Sequence, residues 1–126
     1  MSYFQYEEMT EHVVLVTGSR YWSDRLVIYD ILKELPKDTL IIQGGARGAD
    51  TLAREVAEEL GLEVKTFKAE WDKYGRSAGP IRNQRMLDET HPSLVLVFHS
   101  DIEHSKGTKD LVKRVRKTTI PIRVIR

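Results

Sequence analysis

The chain has 126 residues, with 20 Lys and Arg against 19 Asp and Glu, a net charge of +1, 40% hydrophobic residues and no cysteine. This length supports one domain core, and the composition is that of an ordinary globular protein. It excludes disulfides, thiolate metal sites and a cysteine nucleophile, and the near-neutral charge argues against a bulk electrostatic hold on nucleic acid.

Residues 1–11 read as a polar N-terminal extension, and residues 12–126 as a single domain. The start has no apolar core of signal-peptide type, and no run approaches the ~20 apolar residues that span a bilayer. A cytoplasmic protein with no membrane partner is the expectation. Residues 12–17 form a continuous apolar strand ending at Gly18. Asp24 is a candidate N-cap, and Ile28, Ile31, Leu32 and Leu35 follow helical spacing up to Pro36. Residues 39–42 read as the second strand. Leu52, Ala53, Val56, Ala57 and Leu60 then form a helical stripe closed by Gly61. Residues 62–67 are a third strand, and 68–79 a long loop. Pro80 suits the first turn of a helix over 80–90. Residues 93–98 are a fourth strand and 99–107 a second polar loop. A helix from Thr108, read as its N-cap, to about residue 117 precedes a last strand at 120–125.

Strands alternate with helices, and several strands are apolar on both faces. That predicts a Rossmann-like, three-layer α/β/α fold with a mostly parallel five-stranded sheet in the order 3-2-1-4-5. Such a sheet binds ligands beyond the carboxyl ends of its strands, at the switch point between strands one and four.

The loops at that edge carry the candidate chemistry. After strand one, Gly18 permits a sharp turn, Ser19 and Arg20 are phosphate donors, and Tyr21 or Trp22 offers a stacking surface. After strand two comes Gly44-Gly45-Ala46-Arg47-Gly48-Ala49-Asp50. Its glycines let backbone N–H groups approach a ligand, Arg47 adds a donor, and Asp50 is a candidate acceptor for ribose hydroxyls. It matches neither the dinucleotide fingerprint nor the Walker A loop. After strand three, Trp71 and Tyr74 are candidates to cover a base. Gly79 precedes Pro80, and Arg82 and Asn83 lie in a helical first turn, where an arginine opposes the helix dipole unless an anion is present. The bland alternative pairs Arg82 with a surface carboxylate. After strand four, Lys106, Gly107 and Thr108 lead into a helix whose free N–H groups suit a phosphate. His99 and His104 flank Asp101 and Glu103, but the spacing matches no metal pattern, so they read as solvated loop residues. His12 and His91 read as structural or surface.

Taken together, the loops resemble the SLOG superfamily, the Rossmann-like group that includes the LOG phosphoribohydrolases and the DprA proteins. The closest likeness is to its YspA/YpsA-related branch. That branch carries a G-x-R-x-x-x-D start, a G-G-A-x-G-A-D turn, an A-x-W-x-x-x-G-x-x-A-G-P-x-R-N loop and a late G-T. The matching residues are Gly18-Ser19-Arg20 with Asp24, the turn from Gly44 to Asp50, the loop from Ala69 to Asn83, and Gly107-Thr108. The resemblance implies binding of a nucleotide or nucleotide-derived ligand, with no cofactor required and no metal. LOG enzymes, which cleave the N-glycosidic bond of a nucleoside 5′-monophosphate, carry R-K-x-x-M and then P-G-G-x-G-T-x-E. This chain has Arg82-Asn83-Gln84-Arg85-Met86 and then Ser105-Lys106-Gly107-Thr108-Lys109-Asp110. The Lys, the Pro-Gly-Gly and the Glu are absent, which weakens the enzyme reading and leaves phosphate binding intact.

The leading expectation is a sensor or carrier, with phosphate on the turns at Gly44–Gly48 and Lys106–Thr108. The alternative is a phosphoribohydrolase in which Arg82 and Asp110 are catalytic. A third, weaker expectation is DprA-like binding of single-stranded DNA, for which Lys113, Arg114, Arg116 and Lys117 offer only a local cluster. LOG-type relatives commonly dimerise, so the resemblance also implies a homo-oligomer.

Overall fold

The computed structural model describes residues 12–126, and the N-terminal extension proposed for residues 1–11 lies outside them. Five parallel strands, β1 (His12–Gly18), β2 (Thr39–Gln43), β3 (Glu63–Thr66), β4 (Leu94–Phe98) and β5 (Ile122–Ile125), form one sheet in the order β3-β2-β1-β4-β5. This is the order the sequence predicts. It follows from strands that alternate with helices and present β-branched residues to both faces.

Helices α1 (Arg25–Leu32) and α2 (Ala49–Glu59) cover one face. Their core joins Ile28, Leu32, Ala53 and Val56 to Val14, Val16, Leu96 and Phe98 of the central strands. A one-turn helix α3 (Trp71–Tyr74) precedes α4 (Ala78–Thr90), and α5 (Lys106–Val115) follows β4. Helices α4 and α5 cover the opposite face, where Met86, Leu87, Leu111, Val112 and Val115 pack on Leu15, Ile42, Val95 and Val97. The crossovers run one way from β1 to β3 and the other way from β3 through β4 to β5. A fixed crossover hand then requires the two helix pairs to take opposite faces. Leu15, Ile42 and Leu96 have no exposed surface, and each such burial is worth roughly 1.5–3 kcal/mol.

Local signals place the helix ends. The Asp24 side chain accepts from the Val27 N–H at 3.2 Å, as its N-cap reading requires. Several boundaries differ from the sequence reading: the first helix ends at Leu32 rather than reaching Leu35, and the third strand is Glu63–Thr66 rather than 62–67. The long loop is not irregular: α3 and a 3₁₀ turn at Gly75–Ser77 occupy it, and α4 begins at Ala78 rather than at Pro80. The cap of α5 is Ser105, whose hydroxyl accepts from the Thr108 N–H at 3.4 Å. Thr108 therefore sits inside the first turn, because its hydroxyl is taken by β1. The last strand is shorter, beginning at Ile122. Among the described residues no helix is long and apolar enough to cross a membrane.

Candidate functional site

The carboxyl ends of β1, β2 and β4 bring the predicted loops together, and hydrogen bonds join them into a ring. The Thr108 hydroxyl of α5 donates to the Gly18 carbonyl of β1 at 3.2 Å. The Ser19 N–H donates to the Phe98 carbonyl of β4 at 2.9 Å. The Ala49 N–H at the start of α2 donates to the Ser19 carbonyl at 3.0 Å. Gly48 lies directly beneath that loop: a Cβ on it would come within 2.3 Å of the Ser19 carbonyl oxygen, and its φ is +71°. Only glycine fits there, on both counts. Gly18 is equally tight, since a Cβ would fall 2.3 Å from the Phe98 carbonyl oxygen.

Arg82 and Asn83 of α4 complete the ring. Arg82 Nη1 donates to the carbonyls of Gly44 (2.7 Å) and Phe67 (3.3 Å), and its Nε donates to Asn83 Oδ1 at 3.0 Å. The guanidinium fills the space that a side chain on Gly44 would need. Asn83 is buried, and its Nδ2 donates to the Gly107 carbonyl (3.3 Å) and to Asp110 Oδ2 (3.0 Å). Among the described residues Arg82 thus makes no surface salt bridge, and its planar fork is fixed by backbone carbonyls. Nη2 has no hydrogen-bond partner among the described residues. Burial lowers the Arg82 pKa, opposed by the nearby negative charge of Asp50.

Asp50 is not presented as a ribose acceptor in this arrangement. It is 6% exposed, and its Oδ2 accepts from the N–H groups of Gly44 (3.1 Å) and Ala46 (3.2 Å). Burial pushes its carboxyl up to about 6, against the pull of the Ala46 hydrogen bond, the Arg82 charge and the Gly44 hydrogen bond. Gln43, with no exposed surface, takes the N–H between them: its Oε1 accepts from Gly45 at 2.6 Å, and its amide donates to Thr66 Oγ1. The first three N–H groups of the glycine turn are therefore satisfied from within. Among the described residues, the N–H groups of Arg47 and Gly48, and those of Lys106 and Gly107, make no hydrogen bond. These are the backbone donors open to a ligand.

Asp110 is held in a polar cluster. Its Oδ2 accepts from Asn83 and from Arg114 Nε (2.8 Å), and Arg114 also donates to Gln84 Oε1 at 3.0 Å. Burial works against its ionisation. The hydrogen bonds from Arg114 and Asn83, with the charges of Arg114 and Lys113, outweigh that and hold the carboxyl below the usual carboxylate range.

Other candidates are more dispersed. Arg20, Arg47 and Lys106 are exposed and make no ion pair among the described residues. Trp71 is 60% exposed and lies against Gly79, whereas Tyr74 is 38% exposed. Tyr21 is exposed with the Arg20 guanidinium 5.4 Å from its ring centre, while Trp22 packs edge-on against Phe98 at 5.6 Å. His99 departs from the solvated reading. It is buried at the end of β4, its Nδ1 accepts the Asp101 N–H at 2.9 Å, and burial lowers its pKa. His104 is exposed and pairs with Asp101. Gln43 and His99 are the site-edge residues that pattern reasoning misses. The one available signal was a polar residue ending each apolar strand.

Comparison with known proteins agrees with this geometry. The profile of the YspA, cpYpsA-related SLOG family (YAcAr) matches residues 12–74. The Gene 61 protein of Mycobacterium phage D29 is 32% identical over 118 residues, covering 86% of this chain and 92% of the phage protein. The chain belongs to the YspA, cpYpsA-related SLOG family. Among solved structures, DNA processing protein A (DprA) from Streptococcus pneumoniae matches 94% of this chain with a TM-score of 0.74 at 17% identity. The chain spans 51% of that protein, and the likeness is one of fold.

Proposed function

We propose that this member of the YspA, cpYpsA-related SLOG family binds a nucleotide or nucleotide-derived ligand at the carboxyl edge of its sheet, as a sensor or carrier. The observation that supports the reading best is the placement of unpaired donors on the ring. Arg20, Arg47 and Lys106 come from three loops, and none has a carboxylate partner among the described residues. Beside them are the open N–H groups of Arg47, Gly48, Lys106 and Gly107. A phosphate satisfies both kinds of donor, and each charge-assisted hydrogen bond is worth about 1.5–3 kcal/mol.

Binding fits better than cleavage. An acid role for Asp110 in base departure needs a proton near neutral pH, whereas Asp110 is held ionised; a water-activating role needs a free carboxylate oxygen, and its Oδ2 already accepts from Asn83 and Arg114. Asp50 has the higher pKa, but it is spent on the glycine turn.

The test is calorimetric titration of nucleoside 5′-monophosphates and dinucleotides into wild type and an Arg47→Ala/Lys106→Ala variant, with analysis of the recovered nucleotide. The reading expects binding, about a hundredfold or more weaker in the variant, and intact nucleotide. Equal affinity in both proteins, or no binding at all, removes the crevice from the account. Recovery of free base and ribose 5-phosphate replaces the carrier with a hydrolase.

A further inference from the structure

The connection from β3 to α4 is longer than a parallel crossover of this size needs. It folds into α3 and the 3₁₀ turn, with Trp71 resting on Gly79 and Tyr74 standing beside the first turns of α4. This leaves a cleft of about 210 Å³ with Ala78 and Ile81 among its lining residues. That volume equals roughly seven waters, and it is below the roughly 300 Å³ at which pockets for whole small molecules begin. It suits one group of a larger ligand.

The charge of the lining is one-sided. Lys68, Lys73, Arg82 and Arg85 contribute to it against the single carboxylate of Glu70. Arg85 is oriented by Glu89 at 2.8 Å and by the Phe67 ring, whose centre is 5.5 Å from its guanidinium carbon. Lys68 and Lys73 make no ion pair among the described residues. The exposed Lys68 ammonium, the Lys73 ammonium held 5.1 Å from the centre of the Tyr74 ring, and two oriented guanidinium forks make a phosphate-type donor set. The cleft also adjoins the glycine turn. Arg82 lines it while bonding Gly44, and Lys68 Cγ lies 3.7 Å from where a Cβ on Gly45 would sit.

We propose that the cleft between α3 and α4 is a second anion subsite, which holds a phosphate group through Lys68, Lys73 and Arg82. The ligand class is then a nucleoside polyphosphate or a dinucleotide, with one phosphate in the crevice and another in this cleft. The ligand class rests on the reading above; the subsite itself does not.

The test is a titration of ¹⁵N-labelled protein with inorganic pyrophosphate, following backbone amides by NMR. Saturable shifts at residues 68–74 and at Arg85 are expected. They should weaken about tenfold in Lys68→Ala/Lys73→Ala and remain in Lys37→Ala/Lys117→Ala, a control in which two exposed lysines elsewhere are removed. All four lysines are exposed, so each variant keeps the wild-type spectrum outside its own site. Saturable shifts confined to Ser19, Arg47 and Lys106 leave the crevice reading standing and overturn the subsite. Shifts confined to the cleft support the subsite and count against the crevice. Equal weakening in both variants, or no saturation up to about 10 mM, overturns the proposal.

Discussion

Asp50 ties the glycine turn to a measurable pH dependence. Its carboxyl rises from 3.8 to about 6 on folding, principally because burial disfavours the charge. Ionised Asp50 therefore costs the native state free energy that the protonated form does not. At 1.36 kcal/mol per unit, the shift corresponds to about 3 kcal/mol. The favourable contribution of the protonated group is fully present below pH 3.8 and is lost as pH rises through about 6. Asp50→Asn preserves an oxygen for the Gly44 and Ala46 N–H groups and cannot ionise. The unfolding free energy of the variant minus that of wild type should thus rise by about 3 kcal/mol between roughly pH 4 and pH 7. The assay is urea denaturation of both proteins across that range, followed by the fluorescence of Trp22, which packs on Phe98 in the core. A change of that size is a large share of a typical domain's 5–15 kcal/mol. Parallel stability profiles, with a constant difference between the two proteins, refute the burial argument. So does an Asp50 carboxyl that titrates at its ordinary value by ¹³C NMR.

Three further outcomes follow from the ring. Gly48→Ala and Gly61→Ala both place alanine at positive φ, +71° and +77°, but only Gly48 meets backbone, at 2.3 Å. Gly61→Ala should cost about 1–2 kcal/mol and Gly48→Ala clearly more; equal costs by urea melts disprove the loop contact. Asn83→Ala removes the donor to the Gly107 carbonyl and the acceptor for Arg82 Nε, leaves Asp110 with Arg114 alone, and should cost about 2–3 kcal/mol. A loss below about 0.5 kcal/mol contradicts the network. Asp110, held below the usual carboxylate range, contributes stability above its unfolded pKa that is lost as pH falls. Asp110→Asn should accordingly flatten the acid limb of the stability profile, and an unchanged limb excludes that contribution.

Much of this architecture was legible in the residues. Apolar strands ending in glycine or in polar loops gave both the parallel sheet and its order, because only a strand buried on both faces tolerates that pattern. The crevice followed from the order, since the carboxyl ends and the switch point are fixed by topology. The wiring of the site was not legible. Arg82 meets Gly44 across 38 positions, and Thr108 meets Gly18 across 90. Periodicity and capping rules act over a few residues and carry no information at such separations. Asp50 looked like a ligand group for the same reason: whether a carboxylate in a glycine turn faces inward depends on the N–H groups that surround it. α3 escaped because one helical turn is too short to show a period. His99 looked solvated among polar neighbours, yet β4 and β5 bury it at the edge of the sheet.

The most direct test of the central claim is an NMR footprint of a bound nucleotide. The account predicts that the largest amide shifts fall at Gly18, Ser19 and Arg20, at Arg47 and Gly48, and at Lys106 and Gly107. The basic face formed by Lys113, Arg116 and Lys117 should not respond. Shifts concentrated on that basic face, or a spectrum that no nucleotide changes, would contradict it.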